Sequence, residues 1–325
     1  MLRPFLIDTD TASDDAVALI MALRAPDVRV VAITTVAGNV PVQRCTRNAL
    51  YTVELCGPRP YGKVPVYVGS AKPLLRLHQN ATWFHGQDGL GDHNYPAAKQ
   101  TAELAPAVDA IIAAIESNPG IVLVTLGPLT NIALALIKKA EIAKLVSRCV
   151  IMGGNPCCEG NVTPAAEFNM WVDPEAASIV MRSALPIELV GWHLCRGEAV
   201  LGDKDIERVL ALDTAVARFA IECNSHARKA LKIQTGEDGI CLPDPVTMAV
   251  ALDASIGTSW SDHYVEVETQ SELTRGMTVI DRLNVADDER NQATWAPVLA
   301  GKRKTRVCWT IDSRRWKQAL EAALR

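Results

Sequence analysis

The chain contains no run of about 18 consecutive apolar residues, the length a membrane-spanning helix needs, so a transmembrane protein is not expected. Between Met1 and Asp8 only Leu2, Phe5, Leu6 and Ile7 are strongly apolar, too few for a signal peptide. Neither sign of charge is in excess. Lys plus Arg total 33 against 37 for Asp plus Glu, a formal net charge of -4, which removes any global attraction to nucleic acid or anionic membrane and favours a small-molecule partner. The nine cysteines form no C-x-x-C pair and no metal-finger spacing with the six histidines, and an odd number in a chain of this length fits a reduced, cytoplasmic compartment. No Ser/Gly-rich linker, internal repeat or low-complexity tract divides the sequence, so residues 1–325 are expected to form a single domain.

What is present is a hydrophobic content of 49% and a mean hydropathy of +0.09, enough for a sizeable core. Short β-rich runs alternate with amphipathic stretches: Phe5 to Ile7, Ala16 to Leu23, Val30 to Val36, Gln43 to Cys56. The alternation resumes with Leu104 to Glu116, Ile121 to Leu126, Leu129 to Ile137, Cys149 to Met152, Asp173 to Arg182 and Ile187 to Val190. This β-α-β-α pattern predicts an α/β fold, an open, mostly parallel (mixed) sheet with helices on both faces around a Rossmann-like core. Asp203 to Leu231 reads as helical, Val265 to Ile280 and Arg306 to Ile311 as late strands, and Arg314 to Leu324 as a last helix. Ser70 to Lys99 reads as a long surface loop, and loops of that length in compact domains are usually functional or mobile.

The first strand runs into Asp8-Thr9-Asp10-Thr11-Ala12-Ser13-Asp14-Asp15, where an open α/β sheet places its ligand crevice. Helix capping by Ser13 or Asp14 accounts for one or two of these acids and leaves Asp8 and Asp10 unexplained. Like charges held this close raise one another's pKa or require a cation between them, and oxygen-only ligands select a hard ion such as Ca²⁺ or Mg²⁺. Further along, Glu167 and Asn169 occupy alternate positions, so in an extended segment both would face one side and grip neighbouring sugar hydroxyls, with Asn39 and Asn161 adding amide donors and acceptors. Asp244, in Leu242-Pro243-Asp244-Pro245, reads as a helix N-cap. Asn39 and Asn131 read as helix caps, Gly38 and Gly127 as turn glycines, and Asp173-Pro174-Glu175 as a helix start.

Two patterns compete for the acidic stretch. Haloacid-dehalogenase-type phosphatases carry D-x-D-x-T or D-x-D-x-V, but Ala12 stands at the last position. The pattern D-x-D-x-x-x-D-D is met in full by Asp8, Asp10, Asp14 and Asp15. With Ala37-Gly38-Asn39-Val40, Thr125 to Asn131, Met152-Gly153-Gly154, Asn161 to Asn169 and Asp173-Pro174-Glu175-Ala176, the chain resembles the calcium-dependent inosine-uridine-preferring nucleoside hydrolases block by block from Phe5 to about Ile311. The resemblance implies the nucleoside hydrolase fold and cleavage of a ribonucleoside to ribose and free base, with Ca²⁺ as cofactor. It assigns Asp10, Asp15, Asp244 and the main-chain carbonyl of Thr125 as metal ligands and Asp10 as the base that activates a calcium-bound water. It places Asp14, Asn39, Met152, Asn161, Glu167 and Asn169 around the ribose, and it implies a homodimer or homotetramer.

One departure concerns the leaving group. Many members carry a histidine immediately before the distal Asp, and here that residue is Pro243. His85, in a Phe84-His85-Gly86-Gln87-Asp88-Gly89-Leu90 block similar to the family's, and His226 are the candidate donors, and Trp83 can stack on a base or pack its loop onto the body. Cys157 and Cys158 lack the partners of a thiol nucleophile, and Cys195 stands where relatives carry smaller polar residues. The rival readings are the phosphatase, which needs a downstream lysine and acid pair, and a ribose-binding protein that keeps the grip without turnover.

Overall fold

The computed structural model describes residues 2–300 and 304–325. Its strands are β1 (Arg3–Thr9), β2 (Val28–Thr35), β3 (Val66–Val68), β4 (Ile121–Thr125), β5 (Val146–Met152), β6 (Ile187–Val190), β7 (Gly257–His263), β8 (Val265–Val267), β9 (Thr278–Ile280) and β10 (Thr305–Ile311). The main sheet runs in the order β3-β2-β1-β4-β5-β6-β10-β7, parallel except for the edge strand β7. Strand β1 shows why a parallel sheet forms from such a sequence. Phe5 and Ile7 enter the core on one face and Leu6 the core on the other, so each face gains buried apolar side chains worth about 1.5–3 kcal/mol apiece. Helices Ser13–Arg24, Pro243–Leu252 and Ser313–Leu324 cover the first face, and Ala107–Ser117, Thr130–Lys138 and Pro174–Met181 cover the second.

The strand order reverses at β1, with β2 on one side and β4 on the other, and Asp8 of β1 pairs with Thr125 of β4. A crevice opens at the carboxyl ends of strands that diverge in this way, and the acidic stretch follows β1 directly into it.

Several expectations need correction. The Asp203 to Leu231 stretch is three helices, Asp203–Leu210, Ala215–Glu222 and Ser225–Thr235, because the Thr214 hydroxyl caps the second by accepting from Ala217 N–H. Strand β7 escapes sequence reading because it is a half-exposed edge strand with Thr258, Ser259 and Asp262 on it. The Val265 to Ile280 region forms only the two short antiparallel strands β8 and β9. The Ser70 to Lys99 segment holds a helical turn, Thr82–His85. Ala12, rather than Ser13 or Asp14, is the N-cap of the first helix, and its N–H donates to Asp15 Oδ2 at 2.9 Å. Asp244 lies inside the first turn of Pro243–Leu252, and Leu242 occupies the N-cap position without a side-chain capping bond. Asn39 caps nothing, and Asn131 sits within its helix, donating to Asp8 Oδ1 (2.8 Å) and to the carbonyl of Thr35 (3.0 Å). Asp173 does cap, accepting from Ala176 N–H at 3.1 Å ahead of Pro174.

Candidate active site

A cavity opens above the crevice. Asp14, Asn39, His85, Met152, Asn161, Glu167, Asn169 and Asp244 line it, as does Trp83. Asp10, Asp15 and Thr125 are fully buried beneath this lining.

The acids come together because two helices start at the same place. Asp14 and Asp15 occupy the first turn of one helix and Asp244 the first turn of another, where the positive end of the helix dipole favours negative charge. Their carboxylates converge, with one oxygen from each of Asp14, Asp15 and Asp244 within 4.8 Å of the others. Asp10, which the resemblance assigns to the metal, stands beside this trio, raised by burial and then by the charges of Asp15 and Asp14.

The electrostatics are those of a site short of positive charge. Burial, then the charge of Asp15, raises Asp14 to about 8, and burial followed by Asp14, Asp15 and Asp10 raises Asp244 well above the usual carboxylate range. Asp15 is raised by burial but held toward its charged form by Thr9 Oγ1, which donates to Oδ1 at 2.6 Å. Asp10 Oδ2 accepts from Asn39 N–H at 2.6 Å, whereas Asp10 Oδ1 and Asp14 Oδ1 are buried without a hydrogen-bond partner. Among the described residues no lysine or arginine lines the cavity. Clustered, partly unpartnered carboxylates with no counter-charge fit a hard divalent cation.

Asp10 is also fixed by what surrounds it. A Cβ on Gly38 would lie 2.1 Å from Asp10 Oδ2 and one on Gly127 2.5 Å from Oδ1, so these glycines leave room for the carboxylate as well as making turns. Asp8, pushed up to about 7 by burial, has its Oδ1 occupied by Thr34 and Asn131 and supports the strand end from below.

Around the polyol side, Glu167 and Asn169 do not lie on an extended segment. Glu167 is the N-cap of the short helix Phe168–Val172, accepting from the N–H groups of Asn169 (2.9 Å) and Gly154 (2.9 Å), and Asn169 donates to the carbonyl of Leu126 at 2.7 Å. The helical turn still brings both side chains to the cavity wall, so the grouping expected from sequence stands on different geometry. Asn161 Oδ1 accepts from Phe168 N–H at 2.9 Å, which holds the preceding loop over the cavity.

The opposite side is mostly apolar: Trp83, Phe84, Leu231, Trp192 and Pro243. Trp83 is 57% exposed and makes a T-shaped contact with Phe84, so it is not buried against the body. His85 is buried at the wall, its Nδ1 2.8 Å from Ser13 Oγ and 3.8 Å from Asp14 Oδ1, and burial pushes its pKa down to about 3. His226 is not part of the wall. It faces Asp92, 3.4 Å away, and His85 is the histidine lining the cavity among the described residues. Sequence reading missed Ser13 as the partner of His85, and it missed Gln234, whose amide donates to the Asn161 carbonyl; a glutamine at an exposed helix position carries no signal.

An acid cluster suited to a hard cation, flanked by amide side chains and an aromatic slot, fits a cation-assisted hydrolase of a small molecule. The profile of the inosine-uridine preferring nucleoside hydrolases matches residues 5–318. The pyrimidine-specific ribonucleoside hydrolase RihA of a Shewanella species (strain MR-7) is 39% identical over 318 residues, 96% of both chains, and that of an Enterobacter species (strain 638) is 36% identical over 293 residues. A plant nucleoside hydrolase superimposes with a TM-score of 0.91 at 30% identity, covering 100% of this chain and 99% of the other. A purine-preferring ribonucleoside hydrolase from Gardnerella vaginalis gives 0.87 at 29%, covering 99% and 98%. The chain belongs to the inosine-uridine preferring nucleoside hydrolase family. It is an enzyme that hydrolyses the N-glycosidic bond of ribonucleosides to ribose and free base.

Proposed function

We propose that the protein is a calcium-dependent hydrolase preferring pyrimidine ribonucleosides. The observation that carries the base preference is the leaving-group side of the cavity, where Pro243 stands at the position of the expected donor and His85 is buried with a low pKa. The similarity to two relatives named pyrimidine-specific supports the same choice.

Asp15 and Asp244, with Asp10 and the main-chain carbonyl of Thr125, would hold the ion. Calcium there supplies positive charge that neutralises the carboxylates and eases ionisation of water. Asp10, through its unpartnered Oδ1, takes the proton of the attacking water. Asp14 and Asp244 reach the cavity while Asp10 and Asp15 lie beneath it, which suits Asp14 to a ribose hydroxyl. Asn39, Asn161, Glu167 and Asn169 orient the remaining hydroxyls, and Met152 packs under the ring. The sugar acquires oxocarbenium character as the bond breaks, and the surrounding carboxylates stabilise it. Trp83 stacks on the base. His85, neutral at pH 7, offers a hydrogen bond rather than a proton, a sufficient aid to a pyrimidine whose carbonyl oxygen carries the departing charge.

The reading includes one domain over residues 1–325, supported by the place of β10 beside β6, and a homodimer or homotetramer serving nucleoside salvage in the cytoplasm, supported by family membership. Among the described residues no helix is long and apolar enough to cross a membrane.

General acid catalysis is worth roughly 10²–10⁴ in rate, so kcat/KM for uridine is expected to exceed that for inosine by at least about 10²-fold. Nicotinamide riboside, whose base leaves without a proton, should also outpace inosine. His85→Ala should slow uridine and inosine more than nicotinamide riboside. Rapid inosine cleavage that survives loss of His85 would contradict the assignment.

A further inference from the structure

Cys195 and Cys241 form a thiol pair at the cavity wall that hydrolysis does not use. Cys195 ends the turn Trp192–Cys195, and Cys241 precedes Leu242-Pro243-Asp244. Their sulfurs lie 3.0 Å apart, both cysteines are free, and the two segments are joined elsewhere by the Leu201–Ile240 bridge and the Arg196–Glu237 ion pair at 2.5 Å. Cys241 and Trp192 both line the substrate cavity, whereas Cys195 lies behind Cys241, 1% exposed.

We propose that Cys195 and Cys241 are an oxidation site, closing to a disulfide with a small peroxide and thereby locking the cavity wall that carries Asp244. A cavity that admits a nucleoside admits hydrogen peroxide, and Cys241 is the sulfur it meets. The Cys241 sulfur attacks one peroxide oxygen, the O–O bond breaks, and sulfenic acid and one water form. The Cys195 sulfur then displaces the sulfenic oxygen as a second water, so two thiols and one peroxide give one disulfide and two waters. Burial raises the Cys195 thiol well above its ordinary pKa, which slows its displacement of the sulfenic oxygen at neutral pH. Bringing the sulfurs to bonding distance draws the two segments together by about 1 Å, and a displacement of that size can cost a catalytic constellation up to about 10²-fold.

The test uses the reduced full-length protein treated with hydrogen peroxide, then alkylated under denaturing conditions and mapped by mass spectrometry. The expected result is a single new bridge between Cys195 and Cys241, absent in Cys195→Ala and in Cys241→Ala, retained in Cys157→Ser/Cys158→Ser, and removed by dithiothreitol. Uridine hydrolysis should fall about tenfold or more with bridge formation, recover with dithiothreitol, and stay insensitive to peroxide in Cys195→Ala. Recovery separates the bridge from oxidation of Met152, which dithiothreitol does not reverse. Unbridged thiols, a bridge elsewhere, or a bridge without change in activity would overturn the proposal; bridge mapping needs no substrate, so it stands apart from the pyrimidine assignment.

Discussion

Replacing Asp10 by asparagine is expected to lower uridine turnover by about 10²–10⁴-fold, the range associated with losing a general base. Asparagine keeps the shape of the side chain and one oxygen to accept from Asn39 N–H, so the bond at 2.6 Å and the fit between Gly38 and Gly127 survive. What disappears is the ability of the second oxygen, buried without a partner, to take a proton. Asparagine also removes one of four crowded negative charges, so the melting temperature of the chelator-treated variant should equal or exceed that of the wild type. Parallel measurement of kcat and of Tm in chelator separates the roles. Lost turnover with a lowered Tm would point to a structural role for Asp10, and retained turnover would remove it from the chemistry.

Ribonucleosides are expected to outpace their 2'-deoxy counterparts by as much as about 10⁴-fold, because a site that binds a hydroxyl leaves its own buried polar groups unpaired when the hydroxyl is missing. Asp14, Glu167 and Asn169 are nearly inaccessible to solvent, so no bulk water compensates them when the ligand does not. Comparing kcat/KM for uridine and 2'-deoxyuridine reads this directly. Equal values would mean that these side chains shape the cavity without gripping the sugar.

The elements that carry the proposed ribose and metal side were legible in the sequence because periodicity locates strand ends and helix starts, whereas the roles proposed for their residues came from the family resemblance. The acids after β1 and the Asp173-Pro174 helix start are cases in point. Local detail was less legible where tertiary contacts decide. Asn131 looks like a cap but reaches across to Asp8, 123 residues away, and Glu167 and Asn169 owe their common direction to a helical turn that the alternating pattern hid. The base side was least legible: the block similar to the family's favoured His85 over His226, but it is the folding of the Thr82–His85 turn against Ser13 that separates a wall residue from one facing Asp92. The partnership of Cys195 with Cys241, 46 residues apart, has no sequence signature.

The most direct test of the central claim is calcium titration of chelator-stripped protein, with ribose release from uridine and Tm followed on the same samples. Stripped protein should release no ribose, and added Ca²⁺ should restore turnover along a saturating curve, with a rise in Tm that reflects about 2.7 kcal/mol at a hundred times Kd. Uridine hydrolysis at the full rate in protein shown by elemental analysis to be free of divalent metal would contradict the account.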